Sequence, residues 1–145
     1  MTVIVCREGF MAADTAGWDY DGRVVKSNRR KIVRLGGLHA GSLFAACGEL
    51  ENAEALIEKL NGGDIGDYTI DDNDFCAIEA LPDGTILRYL KKMRPVAVNQ
   101  PFIAIGANES FLYGALYAGA SAEDAVRLAI RYTDSAGGDV QVEHI

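Results

Sequence analysis

Two short apolar runs at the start of the chain constrain its fold more than any other stretch. Residues 1–6 and 10–14 are almost continuously apolar, and they flank the polar, glycine-containing turn 7–9. Two such runs around a short turn predict a β-hairpin. Because neither run alternates between apolar and polar residues, we expect both strands to be covered on both faces. The hairpin should therefore lie inside the molecule.

Length and charge narrow the class of protein. The 145 residues fit a single domain, 1–145, large enough to bury a core without disulfides or metal ions. The formal net charge of −7 argues against a nucleic-acid partner, because binding a phosphate backbone requires a basic surface. No apolar run approaches the roughly 20 residues of a membrane span, and no basic segment precedes a long apolar one. We therefore expect a cytoplasmic protein.

Three cysteines, Cys6, Cys47 and Cys76, stand singly in apolar surroundings. They lack the paired spacing of a zinc site or a redox motif, so we interpret them as small core residues rather than as a disulfide or a metal site. Their odd number fits a reducing compartment.

The remaining patterns alternate between strand and helix. They predict strands over 23–26, 31–35 and 42–47, followed by a helix over 49–60 and a hairpin over 75–90. A strand ending at Ile105 comes next, then helices over 108–118 and from Ser121, and a final strand over 139–145. The predicted apolar stripes of the three helices are Ala53, Leu56, Ile57 and Leu60; Phe111, Leu112, Ala115 and Leu116; and Ala125, Leu128, Ala129 and Tyr132. This order predicts an α+β fold with two stacked sheets covered by helices.

Residues 64–74 contain five aspartates without any periodicity, which predicts an exposed loop. Calcium binding is the alternative interpretation of these acids. They lack both the spacing of a calcium loop and its closing glutamate.

Thr2 is the first candidate for chemistry. If Met1 is removed, the first strand begins with a free α-amine beside a hydroxyl, and these are the two parts of an N-terminal nucleophile that carries its own base. The antiparallel return of the hairpin brings Asp14 back to the Thr2 end. The alternative is an ordinary buried hairpin whose threonine merely follows the initiator methionine.

Three further residues stand at element boundaries. The Lys31 side chain could point inward from a strand, although a lysine at a strand edge is usually solvated. Gly48 lies between a strand and a helix, where a backbone N–H can point at an anion. Trp18, in the turn-rich segment 17–22, would either border a substrate cleft or cap the core.

The whole chain resembles the proteasome β-subunit family, and in particular HslV, the peptidase subunit of an ATP-dependent protease. The resemblance rests on the order of the first hairpin, segments 14–17 and 28–35, the small-residue run 43–48, segment 102–106 and the final 138–142. It implies a four-layer αββα sandwich of two mainly antiparallel sheets, the N-terminal nucleophile (Ntn) hydrolase fold. It also implies a threonine-type endopeptidase that forms an acyl-enzyme and assembles as a homo-oligomeric ring.

The resemblance assigns a role to each candidate. Thr2 is the nucleophile, Lys31 the cation beside it, Asp14 the carboxylate that orients Lys31, Gly48 the oxyanion donor and Asp139 an acid near the nucleophile. A lysine cation close to an α-amine lowers the pKa of that amine and increases its free-base fraction. No cofactor is required beyond a monovalent cation such as Na⁺, for which the matching ligands are the backbone carbonyls of Gly138, Gln141 and His144.

The sequence departs from the HslV pattern in several places. The first hairpin is a few residues shorter, with a similar loss in both arms. Ala107 stands where a serine usually follows the glycine of the 102–106 segment, which removes a hydroxyl that the resemblance places near the amine and its water. Either Asn108 or Ser110 replaces that hydroxyl or the site is slow, and Asn108 is also the candidate substrate-binding residue. The chain also ends sooner after its last strand, which bears on docking to an unfoldase ATPase.

Three functions are therefore compared. The first is a ring-forming threonine peptidase acting on peptides or unfolded proteins, the second a proteasome-like ring scaffold that cleaves nothing, and the third a different amide hydrolase with the same nucleophile. Assembly is expected to bury part of the apolar helix surface around 111–116. Lys31→Ala is expected to abolish turnover and to leave stability nearly unchanged. A chain that retains Met1 is expected to be silent, because the nitrogen of Thr2 is then an amide.

Overall fold

The computed structural model of the chain describes residues 1–18, 24–26 and 28–145, with the side chains of 24–26 left aside. The predicted N-terminal hairpin is confirmed, with β1 (Val3–Arg7) antiparallel to β2 (Phe10–Asp14). Glu8 and Gly9 have φ values of 54° and 77°, the two left-handed conformations of a tight turn that matches the twist of its strands. The register places Ile4 opposite Ala13, so Asp14 returns to the Thr2 end.

Two antiparallel sheets form the centre of the fold. The first has the strand order β10-β1-β2-β11, where β10 is Phe102–Gly106 and β11 is Val140–His144. The second follows chain order with β5 (Ile32–Arg34), β6 (Leu43–Cys47), β7 (Cys76–Ala80), β8 (Ile86–Tyr89) and β9 (Pro95–Ala97). A small ribbon joins β3 (Gly17–Trp18) to β4 (Val24–Lys26).

The predicted strand ending at Ile105 is confirmed as β10, which extends one residue further, to Gly106. The short strand β9 that precedes it is not predicted by the sequence. The structure has two strands there, β9 and β10, and they belong to different sheets. The segment 98–101 between them contains Asn99, Gln100 and Pro101, and proline cannot donate to a strand ladder. The chain therefore crosses from one sheet to the other at this point.

Three α-helices cover the outer faces of the sheets: α1 (Leu50–Leu60), α2 (Glu109–Tyr117) and α3 (Ala122–Tyr132). The hydroxyl of Ser121 accepts a hydrogen bond from the N–H of Asp124 at 3.1 Å and caps α3, as its sequence signature predicts. The short 3₁₀ turn Gly37–His39 precedes β6. Among the described residues, no helix has the length and apolar character needed to cross a membrane.

The apolar core has three parts that define four layers. One part lies between the sheets and includes Ile4, Met11 and Ile78. Another joins the outer face of the first sheet to α2 and α3, and the third joins the outer face of the second sheet to α1. The protein is thus the predicted αββα sandwich, with the N-terminal hairpin covered on both faces.

The predicted helix stripes are correct only in part. Leu56 and Leu60 of α1 and Leu112 and Leu116 of α2 are buried as expected, but Phe111 is exposed. On α3 the buried face comprises Ala122, Ala125, Val126 and Ala129, whereas Leu128 and Tyr132 face outward. Small alanines let this helix approach the sheet closely, and its larger apolar residues are left on the surface.

Candidate active site

Lys31 and Asp14 form a buried ion pair at one end of the first sheet. Asp14 ends β2 and Lys31 precedes β5, and the Lys31 Nζ atom lies 2.7 Å from Asp14 Oδ1. The side chains are 4% and 0% exposed, so the alternative of a solvated lysine is wrong. A buried charge is retained when it is paired and hydrogen-bonded, and each residue satisfies the other. Lys31→Ala would leave the buried Asp14 carboxylate without its cation. We therefore expect this substitution to lower stability, not to leave it nearly unchanged.

The Asp14 carboxylate is held by two backbone donors as well. The N–H of Val3 donates to Oδ1 at 3.1 Å, and the N–H of Gly137 donates to Oδ2 at 3.1 Å. The first of these bonds places the carboxylate one residue from Thr2. The role of Gly137 is not predictable from the sequence, where the pair at 137–138 indicates only the end of a helix.

Gln141 positions the backbone on which Lys31 stands. Its side-chain oxygen accepts hydrogen bonds from the N–H groups of Lys31 at 2.7 Å and Ile32 at 3.0 Å. Its side-chain nitrogen donates to the Ile32 carbonyl at 2.8 Å. The buried amide thereby joins β11 of the first sheet to β5 of the second. The sequence suggested only a backbone carbonyl ligand at this position.

The electrostatics of the pair act on the amino terminus. Burial lowers the pKa of Lys31, and Asp14 opposes that change. The α-amine, carried here by Met1, has a pKa below its usual value of 8.0, first because of burial and then because of the Lys31 cation. An amine at this end of the chain is therefore more readily available as a base than an exposed amine.

Thr2 is fixed by β10. Its carbonyl accepts a hydrogen bond from the N–H of Ala107 at 2.8 Å. Gly106, with φ of +102°, approaches so closely that a Cβ atom there would lie 1.9 Å from the same carbonyl oxygen. Any side chain at Gly106 would push the start of β1 away, so glycine is required at this position.

A cavity of about 910 Å³ opens beside Thr2. Its lining includes Met1, Thr2, Trp18, Arg29, Cys47, Gly48, Glu49, Leu50, Asp72, Asp74, Cys76, Gly106, Ala107 and Glu109. The structure thus brings Gly48, between β6 and α1, to the same cavity as Thr2. Gly48 has φ of +117°, and a Cβ atom there would lie 2.9 Å from an Asp72 side-chain oxygen. Both its backbone conformation and its surroundings favour glycine.

Trp18 contributes to the wall of this cavity, as the prediction of a cleft-bordering segment requires. Its indole nitrogen is buried, and in the described part of the chain it has no hydrogen-bond partner. Residues 19–22 of the predicted cleft-bordering segment, like Arg23 of the predicted strand 23–26, lie outside the described residues.

The residues considered as replacements for the missing serine lie apart from the large cavity. Asn108, with φ of +55° before α2, donates from its side chain to the hydroxyl of the buried Ser135. It lines a smaller cavity of about 360 Å³ that also includes Met1 and Tyr132. Ser110 is exposed on α2, and Ala107 itself lines the large cavity.

The C-terminal candidates are distributed along one edge. Asp139 is exposed, and its N–H donates to the hydroxyl of Thr15 at 2.8 Å. Gly138, with φ of +73°, precedes β11. The carbonyl of His144 accepts a hydrogen bond from the Arg34 guanidinium at 2.8 Å. The imidazole ring of His144 stacks on the ring of Phe10. A monovalent cation at the three carbonyls remains a prediction, and one of those carbonyls already has a cationic donor.

The cysteines and the aspartate-rich loop are placed largely as predicted. All three cysteines are free, Cys6 and Cys47 are buried, and Cys76 is partly buried opposite Cys47 on the neighbouring strand. Burial raises the pKa of Cys6 and of Cys47 to about 12. Residues 64–74 form no helix or strand, and in the described part of the chain no group of three or more His, Cys, Asp or Glu residues could hold a metal ion.

Solved structures of two other proteins share this fold. HslV from Trypanosoma brucei gives a TM-score of 0.72 at 18% identity, covering 99% of this chain and 98% of that one. BPH from Thiobacillus denitrificans in complex with epoxomicin gives 0.68 at 19%, covering 99% and 97%, and a second BPH structure gives 0.64 at 19%, covering 99% and 96%. No family model and no curated protein matches the chain. The fold is therefore the HslV-like proteasome β-subunit fold.

Proposed function

We propose that this protein is a threonine-type endopeptidase in which Thr2, after removal of Met1, attacks the carbonyl carbon of a peptide bond. The observation that supports this most directly is the buried Lys31–Asp14 pair, held at 2.7 Å and tied through the Val3 N–H to the start of the strand. The cavity that Thr2 and Gly48 line together offers room for a substrate. The fold shared with HslV and with the epoxomicin complex of BPH agrees with this function.

The proposed reaction uses the chain's own residues throughout. The Thr2 hydroxyl oxygen bonds to the carbonyl carbon, and its proton passes to the α-amine of the same residue. The substrate C–N bond then breaks, the leaving amine takes that proton, and an ester joins Thr2 to the acyl portion. Water hydrolyses the ester, again with the α-amine as base, and so regenerates the hydroxyl.

Six other residues support these steps. Lys31 lowers the pKa of the amine, and Asp14 orients Lys31. The N–H of Gly48 binds the oxygen of the tetrahedral intermediate, a contact worth roughly 3–4 kcal/mol in other hydrolases. By the family resemblance, Asp139 is proposed as an acid near the nucleophile and Asn108 as a substrate-binding residue. Gln141 is a positioning residue that acts through the backbone of Lys31.

We also propose that the protein assembles as a homo-oligomeric ring in the cytoplasm and degrades peptides or unfolded proteins, with an unfoldase ATPase as a candidate partner. The exposed aromatic residues Tyr117 (72%) and Tyr132 (63%), together with Phe111, supply an apolar surface on α2 and α3 for subunit contacts. Light scattering should give several times the 15.6 kDa mass of one chain. A monomer at micromolar concentration would remove the ring from the proposal.

Covalent labelling tests the nucleophile. A peptide epoxyketone such as epoxomicin needs both the hydroxyl and the free α-amine, so protein freed of Met1 should gain one adduct in intact mass spectrometry. Thr2→Ala should gain none, and Thr2→Ser should still react. Thr85→Ala is the matched control, since Thr85 lies at the turn between β7 and β8, and it should react like the parent. An adduct on Thr2→Ala would place the nucleophile elsewhere.

A non-catalytic ring scaffold is the second candidate. The observation that favours it is Ala107, which lines the cavity where the resembled family carries a serine. A multimer that has lost Met1, yet forms no adduct and cleaves no peptide, would establish the scaffold. An adduct combined with cleavage of simple amides but not peptides would indicate the third possibility, a different amide hydrolase.

A further inference from the structure

The cavity beside Thr2 carries an excess of negative charge. Among the residues that the structure describes, its lining includes four carboxylates, those of Glu49, Asp72, Asp74 and Glu109, and one basic side chain, that of Arg29. These acids come from three separate parts of the fold, namely the start of α1, the loop before β7 and the start of α2. The cavity is therefore acidic because of how the chain folds.

Among the described residues, no basic side chain forms an ion pair with any of the four carboxylates. Among the side chains that the structure describes, the ion pairs involve other acids: Glu8, Asp14, Glu79, Glu123 and Glu143. Within the described part of the chain, none of the four cavity acids has a lysine, arginine or histidine nitrogen within ion-pair distance. Their charge is available to a cation that enters the cavity.

Asp72 is held in place at the Gly48 wall. One of its side-chain oxygens accepts a hydrogen bond from the N–H of Asp74 at 2.9 Å, and the other lies 2.9 Å from the position that a Cβ atom of Gly48 would occupy. The carboxylate is thus fixed beside the residue proposed to bind the oxyanion. A group attached next to the attacked carbonyl would pass close to it.

Arg29 is the basic side chain among the described residues of the cavity lining. Burial lowers the pKa of the amino terminus, Lys31 lowers it further, and Arg29 adds a smaller effect in the same direction, which places Arg29 near the amine. Glu109 acts instead on the Cys47 and Cys76 thiols, whose pKa is raised mainly by burial. Among the described residues that line the cavity, carboxylates therefore outnumber basic side chains.

We propose that this cavity binds a cationic side chain, that of a lysine or arginine residue whose own carbonyl Thr2 attacks. The inference rests on the proposed peptidase function and specifies its substrate class. The aliphatic part of such a side chain would contact Cys47, Cys76 and Leu50, and its charged end would reach the Asp72, Asp74 and Glu109 carboxylates. An acidic side chain would be repelled by the same groups.

The test compares peptides that differ in one residue. Protein freed of Met1 is given substrates identical except for Arg, Leu or Glu before the scissile bond. The Arg substrate should have the highest kcat/KM and the Glu substrate the lowest. The double variant Asp72→Asn, Glu109→Gln should lower kcat/KM for Arg by roughly tenfold or more and leave Leu within about twofold. Asn at position 72 retains the oxygen that accepts the Asp74 N–H.

Glu123→Gln is the matched control, because it removes one carboxylate from α3, where Glu123 pairs with Arg127 outside the cavity lining. This variant should leave kcat/KM unchanged for both the Arg and the Leu substrate. If the double variant fails to fold, Asp74→Asn at an exposed position provides the same comparison. A preference for Leu over Arg, or an equal loss for both in the variant, would overturn the inference.

A peptide epoxyketone with leucine as the residue next to the epoxide tests the peptidase proposal separately from the specificity inference. If it labels Thr2 while Arg substrates are not preferred, the specificity inference fails and the peptidase proposal stands. If it labels nothing and no peptide is cleaved, both fail. Labelling together with the Arg preference and its loss in the double variant supports both.

Discussion

Asp14 and Glu79 are two carboxylates buried in similar ways at different places in the sandwich. Both are 0% exposed, and each lies 2.7 Å from a side-chain nitrogen, Lys31 Nζ for Asp14 and His39 Nδ1 for Glu79. A buried carboxylate without partners would cost several kcal/mol. Each of the two has therefore acquired partners that satisfy its oxygens.

The two carboxylates differ in what surrounds the pair. Lys31 precedes β5, its side chain is 4% exposed, and its Nζ atom pairs with Asp14 near the start of β1, close to Thr2. His39 is 30% exposed, and Glu79 lies on β7 with the Tyr89 hydroxyl at 2.8 Å. Asp14 also accepts two backbone N–H groups that connect it to Val3 and Gly137. Under the proposed function, we therefore expect the Asp14–Lys31 pair to affect turnover and the Glu79–His39 contact to affect stability.

The largest expected effect is that of Lys31→Met. Turnover should fall by about 100-fold or more, since the amine loses the cation that lowers its pKa. The free energy of unfolding should fall by about 3–5 kcal/mol, because the Asp14 carboxylate remains buried without its partner. Peptide hydrolysis and urea unfolding measure the two quantities. Full activity in this variant would mean that the catalytic cation lies elsewhere.

Glu79→Gln should have the complementary effect. Gln keeps an acceptor for the Tyr89 hydroxyl but loses the charged contact with His39, so unfolding should become easier by about 1.5–3 kcal/mol. Turnover at a temperature where the variant is folded should stay within about twofold of the parent. If activity collapses while stability does not, the contrast between the two carboxylates is wrong.

The smallest effect concerns pH. The α-amine must be neutral to act as a base. The pKa of the amine carried by Met1 lies below 8.0, first because of burial, and we expect the same direction for a Thr2 amine at this end of the chain. Activity should therefore rise with pH through a midpoint below that value. Arg29→Gln removes a cation that contributes to the lowering, and the midpoint should move upward by less than about one pH unit. A profile of kcat/KM against pH measures both. A downward shift would mean that Arg29 does not act on the amine through its charge.

The arrangement of strands and helices follows largely from local patterns. Continuous apolar runs around Glu8 and Gly9 determine a buried hairpin, and the antiparallel pairing then places Asp14 at the Thr2 end. The hairpin at 75–90 and the Ser121 cap likewise depend on residues close in the chain. The short strand β9, ahead of the predicted strand that ends at Ile105, was missed because the choice of sheet on either side of Pro101 depends on packing partners far away in sequence.

By itself, the sequence determined the identities of Thr2, Asp14, Lys31 and Gly48 as candidates, through their positions at element ends and a family resemblance. Only the tertiary structure decided that Lys31 is buried against Asp14, that the N–H of Gly137 completes the carboxylate's bonds, and that Gln141 holds Lys31 by its backbone. These contacts join residues 17, 123 and 110 positions apart. No local pattern specifies them, because each requires both sheets to be in place before the two groups meet.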